Sequence, residues 1–333
     1  MINLDNCRYL IWGYKNVYHT HSHIHEGFYR ALKLSGKDVQ WLDSADDISN
    51  MDLSNTLIIT NHDCVNNSYW PWSKPIKSIL PISDECFYAI HGLNDHPELL
   101  DVFRNRKNYI SWNVLSMRAM RSSLGLSAME PMQNEILMGD DAPFDLDRKH
   151  LEFRWATDLL PFEIEQNKPS EMLSLKRPII NWVGTIWHVN KIELSEFSRA
   201  CKEDGVTFVQ IGAKENSHVS IEDNIKLVRD SYMAPAISGT HHLTEGYAPC
   251  RIFKNISYGQ FGVTNNKKVN EIFGGKLIYN PDPYKLYFEA KERLQSIRVE
   301  ELYELMDEVA SKHTYLNRIE FLIKASKMII ENA

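Results

Sequence analysis

Short apolar runs that end in glycine or a polar residue, each followed by a helix-like stretch, recur throughout this 333-residue chain. They are RYLIWGY at 8–14, TLIIT at 56–60, CFYAI at 86–90, RPIINWVG at 177–184 and VTFVQI at 206–211. Runs of this length predict buried strands, and strands alternating with helices predict parallel α/β sheets. The pattern restarts near Ile179, after a polar, proline-containing stretch at 166–170. The sequence therefore predicts an α/β fold of two Rossmann-like, doubly wound domains, 1–165 and 166–333, which we expect to face each other across a cleft. The boundary is expected between residues 162 and 176.

Composition excludes several classes of protein. A hydrophobic content of 43% supports two buried cores, and a net charge of -7 argues against a nucleic-acid binder, which carries a basic surface. The five cysteines are scattered without a CxxC pair, which indicates neither a disulfide framework nor a zinc site and favours a reduced, cytoplasmic setting. The sequence has no run of 18 apolar residues and opens directly on a predicted strand, so we expect neither a signal peptide nor a transmembrane segment. Peripheral contact with a membrane stays open.

A histidine-rich stretch follows the first predicted strand. Histidines stand at alternate positions, His19, His21, His23 and His25, before a helix that we expect to begin near His23 and to end near Leu34. Alternating imidazoles could bind a metal, but no HExxH motif accompanies them. Histidine also titrates near neutral pH, which suits acceptor binding or general-base catalysis. We favour the second interpretation, without a metal, and with Glu26 on the acceptor side; the candidate catalytic residues are His21, His23 and His25.

Polar residues also stand at the ends of the next predicted strands. Asn61, His62 and Asp63 follow the predicted strand at 56–60, and His91 follows the one at 86–90. Because the carboxyl ends of parallel strands meet at one edge of a sheet, these groups would lie together where open α/β sheets bind ligands. Asp63 is therefore a further candidate catalytic residue and His91 a candidate acceptor-side residue. The alternative is that strand ends are polar for structural reasons alone.

The second half contains a candidate anion site. The stretch RIFKNIS at 251–257 predicts a helix that leaves Arg251, Lys254 and Asn255 near its start, where backbone N–H groups favour a bound anion. The Gly184-Thr185 turn follows a strand and can approach a phosphate with its amides. Tyr247 and Asn265 complete the predicted donor-binding set. A solvated basic helix end is the structural alternative.

Several of these segments together resemble a known family. RIFKNISYG at 251–259, VTN at 263–265, KLIYN at 276–280 and HTYLNR at 313–318 are similar to the C-terminal half of GT-B glycosyltransferases, especially the spore-maturation (CgeB-like) group. The resemblance covers roughly residues 180 to 330. It implies a GT-B-like fold and transfer of a sugar from a nucleotide sugar, bound by the C-terminal half, to a glycan or other hydroxyl acceptor, bound by the N-terminal half. The resemblance implies no cofactor. At the position where the family has a glutamate that binds the ribose, this chain has Lys254.

Other functions stay open beside this one. No DxD motif ends a strand, which favours a transferase that works without a metal ion. The resemblance implies a role such as polysaccharide biosynthesis. A nucleotide-sugar epimerase of GT-B shape is an alternative. A catalytically silent sugar-binding or scaffolding protein is another, which Lys254 favours. A dinucleotide-binding dehydrogenase is disfavoured because no GxGxxG follows the first strand.

Overall fold

The computed structural model describes residues 2–15, 17, 19–65, 76–115, 132, 134–186, 189–212 and 219–332. Within them the chain divides into two compact units. The first unit comprises the described residues up to 154 together with 315–332. The second comprises the described residues from 155 to 314.

Strands and helices alternate along most of the described chain. The strands are β1 (Arg8–Trp12), β2 (Val39–Leu42), β3 (Thr56–Asn61), β4 (Cys86–His91), β5 (Tyr109–Val114), β6 (Glu135–Leu137), β7 (Pro143–Asp145), β8 (His150–Phe153), β9 (Ile179–Val183), β10 (Thr207–Ile211), β11 (Pro235–Ala236), β12 (Val263–Thr264) and β13 (Ile278–Tyr279). The helices, numbered among the described residues, are α1 (Thr20–Leu34), α2 (His62–Val65), α3 (Pro97–Phe103), α4 (Pro161–Gln166), α5 (Lys191–Glu203), α6 (Ile221–Arg229), α7 (Thr240–Glu245), α8 (Cys250–Ser257), α9 (Lys267–Ile272), α10 (Pro283–Arg293), α11 (Val299–Lys312) and α12 (Tyr315–Glu331), with a 3₁₀ helix at Leu93–Asp95.

The first unit is built on one sheet. Its strand order is β2-β1-β3-β4-β5-β8-β7-β6, parallel from β2 to β8 and antiparallel at β7 and β6. Strands β3, β4 and β5 are buried along their whole length because they are covered on both faces, which explains their nearly continuous apolar sequences. The order 2-1-3-4-5 is that of a doubly wound sheet.

The last helix belongs to the first unit. The Tyr315 ring at its start lies 4.8 Å from the Phe28 ring, centroid to centroid. It also covers Gly27 of α1, where an added Cβ would lie 2.3 Å from the Tyr315 ring. Only a glycine lets α12 pack this closely on α1.

The second unit contains two short parallel sheets, β10-β9 and β11-β12-β13. The segment before β11 joins them, since Tyr232 donates its N–H to the Ile179 carbonyl at 2.6 Å. Taken together, the strands follow the same 2-1-3-4-5 order as the first unit. The core between the sheets and helices includes Trp182, Phe197, Ile252, Phe253 and Tyr287.

The predicted α/β class is confirmed, since both units are built mainly on parallel strands with helices between them. The unit boundaries differ from the predicted ranges, 1–165 and 166–333: the second unit begins at Trp155, and α12 returns to the first. The sequence pattern indicated where strands restart but not which sheet the final helix packs on. None of the helices in the described ranges is long and apolar enough to cross a membrane.

Candidate functional site

The first unit has a switch point in its sheet. Strand order reverses between β1 and β3, and doubly wound sheets bind ligands outside the carboxyl ends of the strands at such a reversal. Here β1 is followed by Gly13 and Tyr14, and β3 by His62 and Asp63 at the start of α2. The sequence-predicted polar residues of this half therefore converge on the edge where ligands are expected.

Two glycines let α2 approach the neighbouring strand ends. Gly13 has φ +99°, and an added Cβ would lie 2.2 Å from the Cys64 Sγ. Gly92, at the end of β4, has φ +72°, and its Cβ would lie 2.7 Å from the His62 Nδ1. A side chain at either position would push α2 off the edge.

Helix α1 begins earlier than predicted. The His19 ring accepts the N–H of His21 at 3.2 Å, and the Ser22 hydroxyl accepts the N–H of His19 at 3.3 Å, so the two residues cap the helix reciprocally. The helix thus starts at Thr20, and the expectation of a start near His23 was wrong because histidine is not among the usual N-cap residues. Helical rather than extended spacing puts His21 and His25 on one face and turns His23 roughly 200° away from His21.

Asn61, at the end of β3, joins two of the predicted imidazoles. Its Nδ2 lies 3.3 Å from the His21 Nε2 and 3.0 Å from the His91 Nδ1. The Tyr14 ring lies 5.1 Å from the His21 ring, and His91 stacks on Trp112 at 4.4 Å. We call Tyr14, His19, His21, Asn61, His62, Asp63 and His91 the histidine cluster.

His62 and Asp63 are in contact within this cluster. The His62 Nε2 lies 3.0 Å from the Asp63 Oδ1, and its Nδ1 lies 3.2 Å from the His91 carbonyl oxygen. Both ring nitrogens of His62 therefore face oxygen acceptors. Burial alone raises the pKa of Asp63, but hydrogen bonding and charge from His62 outweigh it and leave the pKa below its usual value. Tyr14 donates its hydroxyl proton to the Asp63 Oδ2 at 3.3 Å.

His25 has a structural position. It is 1% exposed, and its Nδ1 donates to the Gly13 carbonyl at 2.8 Å, which also accepts from Trp41. Burial lowers its pKa to about 4. A general base must reach the proton it removes, so this position argues against the predicted catalytic role of His25. His23 and Glu26 lie half-buried on α1.

In the second unit, Arg251 lies in the first turn of α8. Its guanidinium lies 3.7 Å above the Trp182 ring, and an added Cβ on Gly184 would lie 3.0 Å from its Nη2. No carboxylate of the described residues pairs with it. Burial lowers the pKa of Arg251 to about 10, so it stays charged at neutral pH.

Lys254 is paired, unlike Arg251. Its Nζ lies 2.7 Å from the Asp158 Oδ2, and Asp158, which is 3% exposed in its side chain, also accepts the Tyr258 hydroxyl at 2.7 Å. Burial lowers the pKa of Lys254, but the Asp158 charge more than compensates and raises it. Asp158 therefore already neutralises the positive charge of Lys254, which the sequence analysis assigned to a bound phosphate.

The other predicted donor-side residues occupy different places. Asn255 is buried and donates to the Ala234 carbonyl at 2.8 Å, and the Asn265 amide bonds both backbone groups of Ser238 at 2.7 and 2.8 Å. These two amides are structural crosslinks. Tyr247 accepts the Trp155 indole N–H at 2.7 Å, and Thr185 is exposed beyond Gly184.

The candidate site residues predicted from the sequence did not include His62, Trp182 or Asp158. His62 stands at a strand end that the sequence had already singled out, so the same rule could have found it. Trp182 and Asp158 carry no local signal because their importance comes from partners 69 and 96 positions away, Arg251 and Lys254. Among the described residues no group of histidine, cysteine or acidic side chains is arranged to hold a metal; the metal-free mechanism stays a prediction.

No known family model matches the chain, and no curated protein is significantly similar in sequence. Among solved structures, the chain is similar to the N-terminal domain of trehalose-6-phosphate phosphatase from Candida albicans, with 10% identity, a TM-score of 0.49, and coverage of 96% of this chain and 89% of that one. It is also similar to the trehalose-6-phosphate synthase OtsA, with 9% identity, a TM-score of 0.48 and 98% of each chain covered. A trehalose-6-phosphate synthase from Burkholderia multivorans shows 10% identity, a TM-score of 0.39, and coverage of 95% of this chain and 76% of that one. Likenesses at this level establish no substrate or reaction for this chain.

Proposed function

We propose that the protein is a glycosyltransferase that moves a sugar from a nucleotide-sugar donor to a hydroxyl of a glycan or similar acceptor without a metal ion. The second unit binds the donor, with Arg251 as the principal contact to the diphosphate, and the histidine cluster of the first unit binds the acceptor. The observation that carries the proposal is the guanidinium of Arg251, charged and without a carboxylate partner among the described residues.

Sugar transfer leaves negative charge on the departing nucleoside diphosphate, and a fixed cation or backbone amides lower the barrier by stabilising that charge. Trp182 holds the guanidinium plane through its ring face without neutralising it, as a carboxylate would. Gly184, which has φ +120°, leaves space beside the guanidinium at the carboxyl end of β9, and the first N–H groups of α8 add a favourable dipole. Lys254 contributes less than the sequence predicted because Asp158 balances it.

Replacing Arg251 by alanine is expected to weaken nucleotide-sugar binding by roughly 10- to 100-fold, since one charge-assisted contact contributes about 1.5 to 3 kcal/mol. The donor is first identified by a thermal-shift screen of UDP, GDP, CMP and dTDP sugars, because a ligand specific for the folded state raises stability. Calorimetry then gives the affinities of the native protein and the variant for the nucleotide that binds.

Arg199→Ala is the matched control. Arg199 also lies over an aromatic ring, Tyr284 at 4.1 Å, but it is exposed and already paired with Glu196 and Glu203. Its removal should leave nucleotide affinity unchanged. Equal losses in the two variants would show a non-specific effect of charge, and unchanged affinity in Arg251→Ala would place the donor elsewhere.

The pairing of Lys254 with Asp158 supports a second candidate, a sugar-nucleotide-binding protein without transferase activity. The position that carries the ribose-binding glutamate in the resembling family here holds a cation that is engaged internally. Donor binding without turnover over a panel of glycan acceptors would favour it. Release of nucleoside diphosphate without any acceptor would instead favour an epimerase-type reaction.

A further inference from the structure

The histidine cluster contains a chain of hydrogen bonds that runs in one direction. We infer that this chain starts at Asn61, passes through His21 and ends at the Nε2–H of His19, which binds an uncharged oxygen of a hydroxylated ligand as a donor and not as a base. The identity of the ligand as the sugar acceptor rests on the proposed function. The direction of the chain does not.

The orientation of the Asn61 amide is fixed by the backbone. Its Oδ1 accepts the N–H of Asp63 at 2.9 Å, so its Nδ2 is the atom that faces the two imidazoles, His21 and His91. An amide nitrogen can only donate, so the His21 Nε2 and the His91 Nδ1 are both acceptors. The proton of neutral His21 is therefore on Nδ1, and that of neutral His91 on Nε2.

A second amide, that of Asn113, is compatible with this tautomer of His91. The Asn113 Nδ2 donates to the Asp95 Oδ2 at 3.1 Å, and its Oδ1 accepts the N–H of Val114 at 2.9 Å. Asn113 also forms a side-chain hydrogen bond with His91. Because the His91 Nδ1 already accepts from Asn61, the ring atom left to donate to the Asn113 oxygen is Nε2.

The next hydrogen bond, from His21 to His19, extends the chain to the exposed end of the cluster. The His21 Nδ1 lies 3.2 Å from the His19 Nδ1, which also accepts the backbone N–H of His21. The His19 Nδ1 is therefore an acceptor, and its neutral ring carries a proton on Nε2. His19 is exposed, and within the described part of the chain its Nε2 has no protein partner. Since donors in a chain polarise one another, this N–H is a stronger donor than that of an isolated imidazole.

The charge of the cluster favours an uncharged ligand oxygen. Burial lowers the pKa of His21 well below its usual value and that of His91 to about 3, so both rings are neutral at pH 7. The Asp63 carboxylate, 3.0 Å from the His62 ring and with a pKa below its usual value, adds a negative charge to the cluster. An anion would lose its hydration here without gaining an unpaired cation, whereas a hydroxyl oxygen needs only a donor.

Nitrogen-15 NMR of histidine-labelled protein at pH 7.5 tests the chain directly, with rings assigned through single His→Gln variants. We expect His21 to be protonated on Nδ1, and His19 and His91 on Nε2. In Asn61→Asp the new carboxylate accepts from both rings, so the His21 proton should move to Nε2. Asn94→Asp, the same change on the nearby 3₁₀ helix, should leave all three tautomers unchanged. A native His21 protonated on Nε2, or a charged His21 or His91, would overturn the inference.

Titration with D-glucose and with inorganic phosphate, each at millimolar concentration, tests the ligand class. We expect glucose to shift the His19 Nε2–H signal and phosphate to leave it in place. His19→Gln, which keeps a donor, should retain glucose binding in a saturation-transfer experiment, and His19→Phe should weaken it at least several-fold. A response to phosphate alone, or to neither probe, would overturn the inference. Nucleotide calorimetry on the same samples reports separately on Arg251. A failure of the proposed donor site would therefore not affect the tautomer assignments of His19, His21 and His91.

Discussion

The free energy of unfolding is expected to fall steeply as the pH drops from about 6.5 towards 4. His25 is buried, and burial lowers its folded-state pKa to about 4, whereas an unfolded histidine has a pKa near 6.5. The unfolded chain therefore binds the proton first, so the stability is fully present above pH 6.5 and is lost as the pH falls to the folded value. At 1.36 kcal/mol per pKa unit, the loss from His25 is about 3 kcal/mol. His91, with a pKa lowered to about 3, extends the loss to lower pH.

Urea denaturation between pH 7.5 and 4.5 measures this effect. His25→Gln keeps a donor for the Gly13 carbonyl but cannot titrate, so its stability should decline less with acidification and its deficit against the native protein should shrink. His241→Gln, at an exposed position, should keep the native slope. Parallel stability curves for the native protein and His25→Gln would contradict the prediction.

Strands β1, β3, β4, β9 and β10 could be predicted from the sequence because each is a short apolar run ended by glycine or a polar residue, whereas β6, β7 and β8 were not predicted. The convergence of Asn61 and His91 also followed, since parallel topology alone gathers strand ends at one edge. Their detailed contacts did not follow. The hydrogen bond that Asn61 donates to His21 depends on where α1 begins, and a histidine N-cap gives no usual sequence signal.

The donor side was harder to predict for a different reason. The sequence pattern offered Arg251 and Lys254 as equivalent cations, and only the fold distinguishes them, because Asp158 lies 96 positions before Lys254. Asn255 and Asn265 were assigned to a ligand on local position, yet their amides bond backbone groups of Ala234 and Ser238. A buried amide satisfied by backbone and one exposed to a ligand have the same sequence signature.

Replacing Lys254 by methionine is expected to lower the free energy of unfolding by about 3 to 5 kcal/mol, because it removes one member of a buried ion pair and leaves the charge of the other. The Asp158 side chain is 3% exposed and would retain the Tyr258 hydroxyl but lose its cation. Adding Asp158→Asn to this variant removes the uncompensated charge and should recover most of the loss. Urea denaturation of the native protein, both single variants and the double variant gives the coupling energy between the two sites.

Lys276→Met is the matched control, since Lys276 pairs with Glu304 at 3.2 Å but both side chains are at least half exposed. Its expected cost is below about 1 kcal/mol, as for other exposed pairs. The folded Lys254→Met protein should also bind the nucleotide within a few-fold of the native affinity, in contrast to Arg251→Ala, because Asp158 already neutralises the lysine. A Lys254→Met variant as stable as Lys276→Met but unable to bind nucleotide would reverse this assignment. It would make Lys254 a phosphate contact, as its place near the start of α8 first indicated, and Asp158 the residue that pairs with it when no nucleotide is bound.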